Sequence, residues 1–245
     1  WESGYDFDVP GAGAEGWARD PEPDGPSYSA FVATGPGTGG LWIVPKPGPH
    51  PVMSNAKLFF TAPGTTTITA IDWLGMEHFN DLDGQALRLE LRRQGGMLAA
   101  QQDWFLPGPH SEPVVSQQDP QGSKFALMWL HTAVGSVVKA GSLSHGRVHG
   151  AAITLTDGDY PSVKASGALR DLEGKWSAAD GSEPLSIHAE DAGTGVEHIR
   201  ATATDANGEH VVLDQPVPCD PDHKTPGQGS RPCPAQASTP PAPLG

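Results

Sequence analysis

The stretch Leu87-Arg88-Leu89-Glu90-Leu91-Arg92 settles what kind of fold this chain adopts. Leucine and charge alternate through all six positions, and successive side chains of a strand point to opposite faces, so the leucines share one side and the charges the other. That pattern requires a sheet packed on a core with its far side in water. Working outward, Leu58 and Phe60 come before it, followed after the turn residues Pro63-Gly64 by Ile68, Ala70 and Leu74 beside Ile71 and Trp73. Met97–Leu106, Ser123–Val134 and Val148–Thr156 read as further strands, and in the middle one Phe125, Leu127 and Trp129 share a side. Trp73 and Trp129 lie inside these alternating segments and are read as core. Adding the short apolar pieces Tyr28–Thr34 and Leu41–Val44 gives about eight strands before Asp157, at the spacings of an all-β, jelly-roll-like sandwich.

Composition excludes the main alternatives. The 245 residues include 31 Gly and 25 Pro, more than a fifth of the chain, where average usage is about 12%. The longest runs free of both are Ser123–Val134 and Val196–Asn207, each of 12 residues, and an average helix would fill such a run completely. A helical bundle and a doubly wound α/β fold are therefore excluded. A net charge of −14 without a compensating basic cluster removes the electrostatic attraction that nucleic acid or an anionic membrane surface would need. No apolar run reaches the roughly 18 residues that span a bilayer, so membrane insertion is not expected.

After Tyr160-Pro161-Ser162 a second series begins: Ser162–Ala168, Leu185–Ala189, Val196–Thr204 and His210–Asp214. Asp205-Ala-Asn-Gly208 joins the last two, a hairpin signal because Asn-Gly accepts the positive φ of a tight turn. Four strands over residues 161–235 predict a partial immunoglobulin-like sandwich, since such a domain normally has about seven. The first sandwich is placed at residues 1–160, and the Pro-rich residues 236–245 have the composition of a linker.

Cys219 and Cys233 lie 14 residues apart in a Pro/Gly-rich stretch. A disulfide is favoured over a metal site because zinc needs two further ligands and His223 alone is near; two free thiols are the alternative. A bridge would place the chain outside the cytosol, at an extracellular or cell-surface location.

Three segments together carry a resemblance: Ile153-Thr-Leu-Thr-Asp-Gly-Asp-Tyr-Pro161, Ser166-Gly-Ala-Leu169 with Trp176, and Leu185-Ser-Ile-His-Ala-Glu-Asp-Ala-Gly-Thr-Gly-Val196. They resemble a two-domain module of large secreted surface proteins of high-GC Gram-positive (actinobacterial) bacteria, in which a jelly-roll or lectin-like sandwich precedes an immunoglobulin-like domain with an Asp-x-Gly-Ser-Gly-Val turn. The likeness covers roughly residues 153–234 and is architectural before that. Such modules often carry cysteines in the last strands of the first sandwich, where this chain has Trp129 and His131. The resemblance implies a non-catalytic module that acts in adhesion, assembly or as a spacer, its partners being neighbouring domains of the same parent protein or a cell-surface glycan or protein.

Candidate chemistry is sparse. Asp81 and Asp83, in Asn80-Asp-Leu-Asp-Gly84, offer two carboxylates to one calcium ion across a turn; the other reading is a polar loop, and no other cofactor is implied. Asp157-Gly-Asp159 is a weaker version of the same pattern, favoured as a solvated hinge, and Gly35–Gly40 reads as a flexible loop. No Gly-x-Ser-x-Gly elbow is present and nothing selects a pair among 29 acidic residues, so no enzyme is expected. Trp17, Tyr28 and Trp104 fall in or beside polar segments. They either close the ends of the sandwich, the favoured reading, or stack on a sugar ring as the binding residues of a carbohydrate-binding module.

Overall fold

The computed structural model describes residues 2–6, 17–19, 28–35, 37–50, 54–80, 85–105, 108–132, 136–138, 144–171, 184–205, 208–220 and 232–243. It is an all-β protein. One sheet contains β3 (Tyr28–Ala33), β4 (Gly40–Pro45), β7 (Thr67–Asn80), β10 (Gly108–Ser123) and β13 (His145–Thr156) in the order β10-β7-β13-β4-β3, with β1 (Glu2–Asp6) pairing along β13. The facing sheet contains β2 (Trp17–Arg19), β6 (Asn55–Thr61), β8 (Gln85–Arg92), β9 (Leu98–Trp104) and β11 (Phe125–Thr132) in the order β2-β6-β11-β8-β9. β5 (Gly48–His50) and β12 (Ser136–Val138) form a separate ribbon.

Leu87, Leu89 and Leu91 point into the core as the alternation requires, each 0% exposed. Ala126, Met128 and Leu130 lie beside them from β11. Phe125, Leu127 and Trp129 occupy the opposite side, which corrects the placement of Trp129 in the core. Both parities of this strand are apolar, so periodicity could not choose its face; pairing with β8 does, because Trp129 lies opposite Arg88 and Leu130 opposite Leu87.

β7 runs twice as far as its early residues suggest because Gly75 resets its phase. Ile71 and Trp73 are buried, and so are Met76 and His78; strict alternation forbids this, and a left-handed Gly75 at φ 61° absorbs the extra residue. β10 escaped the sequence reading because it contains Pro109, Pro113 and Pro120. It lies at the edge of its sheet with an irregular register between Gln118 and Ser123, where missing amide donors are tolerated. Its Gln117 ties the layers together: the Trp73 indole donates to Gln117 Oε1 at 3.1 Å, and Gln117 Nε2 donates to the Leu89 carbonyl at 2.9 Å.

The second unit has its own small core of Ile187, Ala189, Val196 and Ile199. β14 (Ser162–Ser166), β15 (Pro184–Glu190) and β18 (Gln236–Ser238) pair in that order, β19 (Ala242–Pro243) also pairs with β15, and β16 (His198–Asp205) forms a hairpin with β17 (Gly208–Pro216). A single helical turn, α1 (Ala168–Asp171), follows β14. Residues 236–243 are thus not a linker. Gln236 faces Glu190 in register, and the buried Thr239 accepts the Ile187 amide at 2.9 Å through its hydroxyl. Cys219 and Cys233 are joined by a disulfide.

The two units meet at two turns. Asp157 Oδ2 accepts the Thr194 amide at 2.9 Å and its hydroxyl at 3.2 Å, while Asp159 accepts the Thr65 hydroxyl at 2.5 Å. Asp191 Oδ1 shapes the opposing turn by accepting the Gly193 amide at 2.6 Å. The Asp157-Gly-Asp159 segment, read from sequence as a solvated hinge, is a fastening.

One buried group makes stability depend on pH. His78 is 1% exposed, and neither ring nitrogen has a hydrogen-bond partner among the described residues. Burial first, then the charges of His110 and His145, lower its pKa to about 4. Because the unfolded chain binds this proton near pH 6.5, the native state should be fully stable above that pH. Stability should fall as pH drops from 6.5 towards 4, by on the order of 3 kcal/mol. Urea unfolding at pH 7.5 and 4.5 checks this: His78→Leu should shrink the difference by about 2 kcal/mol, and an unchanged difference would contradict the assignment.

Candidate functional site

The outer face of the five-stranded sheet is built by the alternation that fills the core. Arg88, Glu90 and Arg92 of β8 stand there because Leu87, Leu89 and Leu91 stand inside. Antiparallel pairing brings Trp129 between Arg88 of β8 and Lys57 of β6, Leu127 between Glu90 and Phe59, and His131 between Ala86 and Asn55. β9 adds Asp103 opposite Arg88 and Gln101 opposite Glu90.

Trp129 is the centre of this face. The Arg88 guanidinium lies 5.1 Å from its ring centroid, the Lys57 ammonium 5.3 Å and the Arg92 guanidinium 5.8 Å. A chain of ion pairs holds the arginines in place. Arg88 donates to Asp103 at 2.5 and 3.0 Å and to Glu90 at 3.4 Å, Arg92 donates to Glu90 at 2.6 Å, and Gln101 braces Asp103 at 2.7 Å. Burial works against the charge on Arg88, but the hydrogen bond and charge of Asp103, with Glu90 behind them, raise its pKa above the ordinary value. Glu90 is 0% exposed although it belongs to the water-facing side of the sheet, which the two arginines covering it explain.

His131 completes the face. Its ring packs 5.4 Å from Trp129 and edge-on to Phe105 at 6.0 Å. It is buried, and burial, then the charge of Arg88, lowers its pKa, so the imidazole is neutral at pH 7. The indole nitrogen of Trp129 and both ring nitrogens of His131 have no hydrogen-bond partner among the described residues. Buried polar groups are normally satisfied; these three nitrogens are shielded from solvent beneath the face and have no partner among the described residues.

The residues singled out from sequence lie elsewhere. Trp17 is 7% exposed and packs on Phe60 and Trp73 at 5.8 and 5.6 Å. Tyr28 is 1% exposed, its hydroxyl 2.5 Å from Thr132 Oγ1 and its ring edge-on to His50. Neither can offer a face to a sugar; both close the sandwich, because their short strands continue the two sheets at core positions. Trp104 is half-buried and also turned to the core side, opposite Leu87. Asp81 and Asp83 lie outside the described residues, and among the described residues no cluster of three or more metal-ligating side chains occurs. Of the Gly35–Gly40 segment, the described residues 37–40 are pinned rather than loose: Arg147 donates to the Gly39 carbonyl at 2.6 Å and to that of Gly37 at 3.3 Å.

Fold and face together define a β-sandwich module with an aromatic, charge-lined sheet surface. No protein-family model matches the chain, and no curated protein matches it. Solved structures similar to it include the Endo-D glycoside hydrolase domain of Streptococcus pneumoniae R6, at TM-score 0.32 and 9% identity over 93% of this chain and 32% of that one. The enzymatically active domain of tailspike protein 4 from bacteriophage CBA120 gives TM-score 0.27 and 15% identity over 58% of this chain and 19% of that one. The CBM36-1 domain of a multidomain xylanase from the hindgut metagenome of Trinervitermes trinervoides gives 0.25 and 12%, over 65% of this chain and 98% of that one. The chain thus spans about a third or less of the length of the first two, and likenesses of this size assign neither activity nor ligand.

Proposed function

We propose that the chain is a non-catalytic extracellular β-sandwich module of a larger surface protein, and that it binds carbohydrate on the outer face of the five-stranded sheet, with Trp129 at the centre. The observation that carries this reading is the half-buried Trp129 ring amid fixed polar groups: Arg88, Arg92, Asp103 and Gln101 held by ion pairs, and His131 beside them. A sugar presents an apolar C–H face to an aromatic ring and hydroxyls to the groups around it. Lys57 adds a cation–π contact to the same ring, worth about 0.5–1 kcal/mol at an exposed site. The Cys219–Cys233 bridge suits an oxidising compartment, and no helix among the described residues is long and apolar enough to cross a membrane.

Isothermal titration against a panel of oligosaccharides tests this. At least one should bind, and Trp129→Ala should weaken it about 10-fold, since a stacked ring contributes about 0.5–1.5 kcal/mol beyond the area it buries, while leaving the thermal transition in place. A chelator arm reports whether calcium at the Asp81–Asp83 loop takes part. A panel with no binder would refute the reading. A spacer role is a second reading, favoured by the fastening of Asp157 to Thr194 between the two units.

A further inference from the structure

We infer that the smaller unit docks an extended strand of another polypeptide, apolar at alternate positions, which pairs with the free edge of β16 and closes the open side of the sandwich. The inner face of the β14-β15-β18 sheet shows where the opening lies. Val163 of β14 stands directly opposite Ala189 of β15, and Ala189 stands opposite Ala237 of β18, so the three side chains share one face. Ala189 lies in the core at 4% exposure, yet Val163 is 62% exposed. Every residue of β14 is exposed. The opposing layer, the hairpin of β16 and β17, therefore packs over β15 and stops short of β14.

A cavity of about 330 Å³ fills that opening, lined by Val163, Ile187 and Ala189 from one layer and by His198, Ile199 and Arg200 from the other. Successive residues of a strand point to opposite faces, so a cavity touched by residues in succession runs along the edge of the strand rather than beneath one face. β16 has one partner strand, β17, and among the described residues its other edge makes no backbone hydrogen bond. The cavity thus presents a row of backbone donors and acceptors beside an apolar floor. A small apolar ligand would use the floor alone, and a helix spends its backbone groups internally. A strand uses both: its amides and carbonyls extend the ladder, and every second side chain settles on Val163, Ile187 and Ala189.

The probe is a peptide with blocked ends, Lys-Thr-Val-Thr-Val-Thr-Val-Lys, together with versions carrying leucine or phenylalanine in place of valine, each titrated into the whole chain. At least one should bind saturably, protect amides of β16 from hydrogen exchange and shift the methyl resonances of Val163. Proline at the central apolar position should weaken that peptide about 10-fold or more, because it removes a donor and interrupts the ladder. Val163→Lys should weaken binding to a similar degree, whereas Val114→Lys, at an exposed valine on β10 of the other unit, should leave it unchanged. Both valines meet water, so neither variant threatens folding. Failure of all three peptides to bind, equal binding of the proline version, or equal loss in Val114→Lys overturns the inference. So does protection of the same β16 amides in a self-associated chain without peptide, which would assign the groove to a second copy. None of these outcomes bears on the oligosaccharide titration, which reads the other unit.

Discussion

Replacing Gly64 by alanine is expected to part the two units of the molecule. A Cβ at Gly64 would sit 1.8 Å from the Ala192 carbonyl oxygen, which is backbone and has no rotamer to escape by, and φ at this residue is already +48°. The turn Asp191–Val196 has to withdraw, and Thr194 then loses both hydrogen bonds to Asp157. Hydrogen bonds to a charged group contribute about 1.5–3 kcal/mol each, so the coupling lost is on the order of 3 kcal/mol or more. In calorimetry the variant should show the smaller unit melting ahead of the larger. Gly158→Ala is the control: it lies in the same junction with open space where its Cβ would be, and should melt like the parent. A Gly64→Ala profile that superimposes on the parent would show that the units are not mechanically coupled.

Trp73→Ala should be the most damaging change in the first sandwich. The ring is 0% exposed and packs on Trp17 at 5.6 Å, and truncating a buried Trp costs about 3–5 kcal/mol. It also strands the Gln117 oxygen that accepts from the indole, adding about 1–3 kcal/mol, against a typical total of about 5–15. Denaturant titration should therefore find most of the stability gone. Trp73→Phe separates the causes by refilling the space without the donor, and Gln117→Leu on that background should recover part of the loss. A Trp73→Ala protein within about 1 kcal/mol of the parent would contradict the packing described.

What the sequence made legible, and what it hid, follows from how each signal is encoded. The inward leucines of β8, the cysteine pair and the hairpin at Asp205–Gly208 are local patterns, complete within a few residues. β10 was hidden because its prolines are breakers everywhere except a sheet edge, and which strand forms an edge is a property of the whole fold. The docked strand Gln236–Ser238 has linker composition and is ordered by β15, not by itself. The charged half of the candidate site was visible as Arg88, Glu90 and Arg92. Its aromatic half was not, because Phe125–Leu130 is apolar at every position and only cross-strand register turns Trp129 outward. Trp17 and Tyr28 were misleading for the converse reason: polar neighbours in sequence, core neighbours in space.

The most direct measurement is the indole N–H resonance of Trp129, identified by its disappearance in Trp129→Phe, followed while a binding oligosaccharide is titrated. The Trp129 ring is partly exposed on the outer face, so a ligand stacked on it should shift this resonance progressively to saturation while the core indole of Trp73 stays still. A saturable binder that leaves the Trp129 signal unmoved would mean that recognition happens elsewhere on the molecule.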